Sequence, residues 1–473
     1  MFRKLKNLFG AQDMTVGSPF VCITKYTIPL LIGNIAQLLY MTADAIVVGN
    51  FMGTLGDTAL AAIGCAMPSY EIFLVVFIGI GTGASVMVSQ YFGAKDYENL
   101  NLSIGNSITV IAIVSIVVTA VATPLSGSFL RLVNAPAEVA AMANTYLTIL
   151  FLGSIGNAFY NCLSAIMRGM GESVFPLLVL MGAVILNIGL DIWFIAGFGM
   201  GVRGAAVATI IAQFLAAIVC LAKVMMMRDT IRIRFAMLYP VRWMTWQIVR
   251  LGGPTALSTG VQFASSLFIQ ALVNSMGAMI VTAITVTQRV DSFAIIPSIT
   301  FQIVAMTYTG QNVGAGKMER VKRGTKTVLL MCLVFTFVMV AAMLLFGRNM
   351  LGLFTETEVI INTSMTFIRI MVPAYFAVTV NGILIGVMRG AGDALGPMWL
   401  SMAYIIVLRI PFSYILAFLS RSEVNPNGDP NTMFYAMVIA FFIGCIVTII
   451  YYKAGKWRGK AITEQETPLP LDA

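Results

Sequence analysis

Residues 89–99 read SQYFGAKDYEN, and residues 310–320 read GQNVGAGKMER. One offset, 221, places Gln90 on Gln311, Gly93 on Gly314, Ala94 on Ala315 and Glu98 on Glu319. The same offset carries IMRGMGES (166–173) onto VMRGAGDA (387–394), and Pro176 onto Pro397. A slightly longer offset, 225, pairs Pro29 with Pro254 and Gln37 with Gln262. The chain therefore repeats one plan twice, and the fold is decided by what that plan is.

The repeated motifs punctuate long apolar stretches. Hydrophobic residues make up 59% of the 473 positions and charged residues 10%, against roughly 25% charged in soluble domains. Twelve stretches, from Thr27–Val48 to Met433–Tyr452, approach or exceed the ~20 residues a helix needs to cross a bilayer. The expectation is an all-α membrane protein of twelve transmembrane helices in two pseudo-symmetric six-helix lobes. Six crossings return the chain to its starting side, so the copies share one orientation and are related by an axis along the membrane normal. That is the parallel-repeat plan of secondary transporters, with a substrate path between the lobes. The expected parts are an N-lobe over 1–226, an interfacial linker over 227–250, a C-lobe over 251–453 and a cytoplasmic tail over 454–473.

Lysine and arginine set the orientation. With the N-terminus in the cytoplasm, 22 of the 29 basic residues fall on the inside and only Arg131, Arg203, Arg348 and Arg421 in outside loops. By the positive-inside rule both termini are cytoplasmic, in the cell's inner membrane. MFRKLKNLFG is basic, but no short apolar core with a small-residue cleavage site follows, so no signal peptide is read. The net charge of +9 lies in connections between apolar runs, which argues for a bilayer and against nucleic acid. With no histidine and six scattered cysteines, histidine-based relays and catalysis have no candidates, and no zinc or redox motif is present. The cysteines read as small apolar filler, and an enzyme is not expected.

Two acids stand out inside the apolar runs, Asp44 and Asp191. A charge at such depth costs several kcal/mol on the order of insertion scales and marks a functional site by default. Asn34, Gln37, Met41 and Asp44 are spaced to share one face of the first helix, and Asn187 and Asp191 are four apart on the fifth. Counting at ~1.5 Å per residue, Asp44, Asp191 and Thr209 reach similar depth. Asp44, Asn187, Asp191 and Thr209 can then converge as an all-oxygen pocket for a proton or a small hard cation. The alternative is that the two acids cap a kink or pair with an arginine such as Arg203.

The order of these features resembles the multidrug and toxic compound extrusion (MATE) transporters over essentially the whole chain. The resemblance is carried by the two six-span halves, the GQNVGAGKMER turn, the MRGMG and MRGAG turns, and Pro29, Gln37, Tyr40, Asp44 and Gly49 in the first span. It implies export of organic cations and other amphipathic drugs, driven by a proton or sodium gradient, with no cofactor. It also implies that Asp44, Asn187, Asp191 and Thr209 are the coupling residues and that Pro29 is a hinge. A glutamate of one branch is Gln262 here, and the second copy has Ile269 and Phe412 opposite Asp44 and Asp191. That resembles the DinF-like bacterial branch and points to ion coupling in the N-lobe alone. A monomer is expected. The competing transport reading is a flippase for a lipid-linked precursor, which calls for a groove rich in cationic residues.

Further candidates for a substrate cavity are Gln37, Tyr40, Met41, Glu71, Tyr146, Asn157, Asn161 and Gln262. Asn157, Asn161, Ser164 and Arg168 form a helical stripe, and Tyr146 falls near the same face if the helix is straight. Arg289 and Asp291 in the eighth span read as an internal ion pair or a second polar site.

Overall fold

The computed structural model describes residues 11–52, 56–132, 136–227, 231–232, 234–423 and 425–464; the side chains of 38–46, 50, 51, 132 and 464 lie outside the description. Among the described residues the regular structure is helical throughout. The helices are α1 (Pro19–Phe51), α2 (Gly56–Ala94), α3 (Tyr97–Leu132), α4 (Ala137–Leu152), α5 (Ser154–Gly169), α6 (Val174–Ile192) and α7 (Val202–Met226). The second copy continues with α8 (Arg242–Ser275), α9 (Ala278–Gly314), α10 (Met318–Gly352), α11 (Glu358–Gly390), α12 (Leu395–Met402), α13 (Ile410–Leu419) and α14 (Pro430–Ala454). A π-helical turn follows α6 at Trp193–Gly197, and another joins α12 to α13 at Ala403–Arg409. Among the described residues eleven segments are long and apolar enough to cross a membrane, and α4 with α5, taken together as one bent span, brings the number to twelve.

The α4–α5 span is bent by 50°. Gly153 sits at the bend, where a Cβ would come within 2.2 Å of Ile210 on α7. Glycine is therefore the residue that lets α7 approach, and the chain turns there.

The molecule forms two compact units, residues 1–13 with 28–256 and residues 14–27 with 257–473. The duplication seen in the sequence recurs in the packing of each. In the first unit a Cβ on Gly169 would lie 2.7 Å from the Ser85 carbonyl; in the second, a Cβ on Gly390 would lie 2.2 Å from the Met306 carbonyl. Both pairs are related by the 221 offset. Glycines on α2 and α11 allow further close approach, Gly83 against Ile248 and Gly386 against Gln302. Small residues at such crossings let backbones approach, which is how helices associate when lipid removes the hydrophobic drive.

The MRGxG turns are also paired. Gly171 and Gly392 have φ of +82° and +96°, a region that costs other residues about 1–2 kcal/mol. The acid that follows caps the next helix. Glu172 Oε1 accepts hydrogen bonds from the Val174 and Phe175 amides at 3.0 Å. Asp393 Oδ1 accepts from the Gly396 amide at 3.1 Å, and its Oδ2 accepts from the Tyr451 hydroxyl at 2.7 Å. Burial pushes the Glu172 carboxyl above its ordinary range, and the two amide donors oppose that rise.

The unit boundaries depart from the sequence reading at both ends of the N-lobe, since residues 14–27 fall in the second unit and the first unit runs on to Ala256. Residues 14–27 are held by the motif at 310–320. Gln311 Oε1 accepts from the Met14 amide at 2.8 Å, Lys317 donates to the Thr15 carbonyl at 3.0 Å, and Arg320 donates to the carbonyls of Met14, Val16 and Gly17 at 2.7–3.2 Å. The linker is already helical from Arg242, and the segment before it is fastened to α3. Asn106 accepts from the Val241 amide at 2.7 Å and donates to the Met237 carbonyl at 3.2 Å, while Thr109 donates to the Leu238 carbonyl. The tail is folded as far as Glu464. Trp457 is buried and stacks on Tyr452, and Lys460 lies 3.4 Å from Asp393. Five of the six cysteines are buried and Cys65 is partly so.

Arg320→Ala is expected to release residues 14–17. Losing several charge-assisted bonds costs about 1.5–3 kcal/mol, and hydrogen exchange at those amides should rise ten-fold or more. Unchanged protection would show that the clamp contributes nothing.

Candidate functional site

The first unit contains a cavity of about 180 Å³. Four helices line it. α1 contributes Pro29, Gly33, Asn34 and Gln37; α5 contributes Asn157, Tyr160, Asn161 and Arg168; α6 contributes Asn187; and α7 contributes Thr209 and Gln213. Pro29 lies inside α1, where it removes one intrahelical hydrogen bond, so the helix wall of the cavity is weakest there. The lining is rich in carboxamides and hydroxyls, groups that present oxygen to a cation and N–H to an anion.

Asn187 Nδ2 is 3.5 Å from Thr209 Oγ1, and Thr209 donates back to the Ala205 carbonyl at 3.0 Å. The structure thus brings α6 and α7 together at this pair. Asp191, one turn further along α6, is 0% exposed and Asn187 1%. The π-turn begins two residues after Asp191; such turns are frequent at functional sites. Asp44 lies on α1, but its side chain, with those of Tyr40 and Met41, is outside the description.

Asn157 and Asn161 both face the cavity, and Asn161 Nδ2 donates to Asn157 Oδ1 at 2.8 Å. Tyr146 does not face it: the residue is 2% exposed and sits in the packed interior, apart from the lining. The bend at Gly153 is the reason, because the stripe that joined Tyr146 to Asn157 assumed one straight helix. Glu71 is partly exposed on α2 and does not line the cavity, and Gln262 is exposed on α8 in the second unit. The expected Arg289–Asp291 ion pair is absent. The Tyr375 hydroxyl donates to Asp291, and the Arg289 guanidinium lies 5.7 Å over the Phe354 ring. Residues two apart on a helix project to different sides and cannot pair.

Tyr160 and Gln213 were not singled out from the sequence. The signal was available, since Tyr160 follows Asn157 by three and Gln213 follows Thr209 by four, each on the stripe of a residue already chosen.

The family model described as MatE matches residues 29–193 and again residues 254–415. The chain belongs to the MatE family. The two matches begin 225 residues apart, the offset that pairs Pro29 with Pro254. Members of the family are transporters, so this MatE protein is a multi-pass membrane transporter and not an enzyme. It is 28% identical to the probable multidrug resistance protein YpnP of Bacillus subtilis, covering 96% of this chain and all of that one. It is 26% identical to the probable multidrug resistance protein NorM of Thermotoga maritima, covering 94% of each. Among solved structures, a multidrug resistance MATE family transporter of the MOP superfamily in an outward-facing conformation superposes with a TM-score of 0.85. That pair shares 24% identity over 94% of this chain and 97% of the other, which establishes the two-lobe fold.

Proposed function

We propose that this MatE transporter exports organic cations and amphipathic drugs across the inner membrane in exchange for H⁺ or Na⁺. The observation that carries the reading is Asp191, wholly buried within a crossing helix and one turn from the Asn187–Thr209 pair that opens onto the cavity. A buried carboxyl beside a carboxamide and a hydroxyl suits a proton or a hard cation bound through oxygen. Asp44 completes the set from α1, and Pro29 makes α1 the element that bends as the site fills. Alternating access of the two lobes then couples ion entry to substrate release. The protein works as a monomer with both termini in the cytoplasm and needs no cofactor beyond the coupling ion. Relatives named as multidrug resistance proteins support the substrate class.

The test is efflux of ethidium from vesicles carrying the wild-type protein, with proton and sodium gradients imposed separately. Efflux is expected to follow one gradient and to stop when that gradient is collapsed. Efflux that persists with both collapsed overturns the reading.

A further inference from the structure

The two copies carry charge of opposite sign at nearly equivalent positions of the repeat. The 221 offset places Arg409 on Ile188 and Phe412 on Asp191. Where α6 has a carboxylate, its counterpart has a guanidinium within one turn. Arg409 lies 14 residues into the Leu395–Leu419 span, about 21 Å along it at 1.5 Å per residue. A cation at such depth is a functional-site candidate by the same rule that singles out the acids.

Arg409 has a companion. Arg389 ends α11, and its Nη2 donates to Ser258 Oγ at 3.1 Å. Tyr404 is an electrostatic neighbour of both arginines. The backbone builds this arrangement. In a regular α-helix, residues five apart point about 140° away from each other. The π-turn Ala403–Arg409, with its five-residue hydrogen-bond step, brings Tyr404 and Arg409 round towards one face. The Tyr404 ring is held in place by Phe441, at 6.1 Å between centroids, and by Gly444, where a Cβ would lie 3.0 Å from the ring.

What this cluster lacks is an anionic partner. Among the described residues the ion pairs do not include Arg389 or Arg409. The Nε–H of each is buried without a hydrogen-bond partner. The other two arginines within spans differ: Arg289 lies over the Phe354 ring, and Arg369 is exposed. Two buried guanidinium forks with no carboxylate partner match an oxyanion, which accepts from guanidinium in paired bonds.

We propose that Arg389, Arg409, Tyr404 and Ser258 form an oxyanion-binding site in the second unit, which takes the carboxylate, sulfonate or phosphate of an amphiphilic ligand. That extends the transport reading, on which it rests only for calling the ligand cargo. Substrates with both a cationic and an anionic group are then preferred over purely cationic ones. A phospholipid headgroup offers the same chemistry, and the test separates the two sources.

Two dyes share one xanthylium cation: rhodamine 110 has a free carboxylate, and rhodamine 123 is its methyl ester. Their binding to the purified full chain in dodecyl maltoside is read by fluorescence anisotropy. The free acid is expected to bind about ten-fold more tightly than the ester. Arg409→Gln should remove that preference, Arg409→Lys should keep part of it, and Tyr404→Phe, which leaves both guanidiniums, should reduce it about three-fold. Native mass spectrometry is run on the same samples. A phospholipid retained by the wild type and lost in Arg409→Gln assigns the oxyanion to a headgroup instead of cargo. Equal affinity for acid and ester in the wild type, together with no lipid lost on substitution, overturns the site. Should Arg409→Gln fail to elute as a single species, the wild-type ratio and Tyr404→Phe decide. Ethidium efflux by the wild type tests transport separately, so failure of one reading is distinguishable from failure of the other.

Discussion

Asp191→Asn is expected to reduce gradient-driven ethidium efflux to the level of vesicles without a gradient, a loss of about 100-fold or more. The substitution keeps the shape of a side chain that is 0% exposed, so packing around α6 is preserved. What it removes is the group that changes charge. Asn187 and Thr209 are neutral and cannot take up or release a proton, and without the carboxylate they hold a sodium ion only through weak dipoles. Asp44→Asn should have the same effect if α1 supplies the second carboxylate. The check is initial efflux rate at equal protein, with a folded fraction measured by size-exclusion chromatography. Wild-type rates in Asp44→Asn and Asp191→Asn together would remove the assignment.

The second large effect falls on stability. Gly390→Leu and Gly83→Leu each place a side chain where a Cβ alone would lie 2.2–2.3 Å from a facing carbonyl, that of Met306 or Ile248. No rotamer avoids this, because the clash is at Cβ and the neighbour is backbone. The helices must separate, and the van der Waals packing that holds a membrane bundle is lost along the crossing. Overpacking of this kind costs about 3 kcal/mol or more, which lowers the melting temperature by about 6–12 °C for a unit of some 230 residues. Gly260→Ala is the control, since nothing lies within 4 Å of its added Cβ and alanine favours the helix by up to ~1 kcal/mol. A Gly390→Leu protein melting within about 2 °C of the wild type would contradict the packing described.

Much of this was legible in the sequence because membrane crossing and duplication act on composition and spacing. The apolar stretches report the spans, and the offset that relates SQYFGAKDYEN to GQNVGAGKMER also relates Gly169 to Gly390 and Ser85 to Met306 in three dimensions. The stripes of polar residues pointed to Asn157, Asn161 and Asn187, because three- and four-residue spacing survives wherever the helix stays regular, and Thr209 came from its depth in the span and the family resemblance. The reading lost accuracy where regularity ends. Tyr146 left the stripe at Gly153, whose role depends on Ile210, a residue far away in sequence. The π-turn at 403–409 rotates Arg409 towards Tyr404, which α-helical spacing does not anticipate. The clamp of Arg320 on residues 14–17 joins segments 300 residues apart through backbone carbonyls, which carry no sequence signature. Asp291 found Tyr375 rather than Arg289 for the simple reason that a helix separates positions two apart.

In the proposed mechanism the first unit alone reads the coupling ion. The most direct test is ion-binding stoichiometry on the purified protein, with ²²Na⁺ binding and substrate-triggered proton release measured on the wild type, Asp191→Asn and Asp291→Asn. One site is expected in the wild type, none in Asp191→Asn and one in Asp291→Asn. Ion binding that survives Asp191→Asn and disappears in Asp291→Asn would place the site in the second unit and contradict the account.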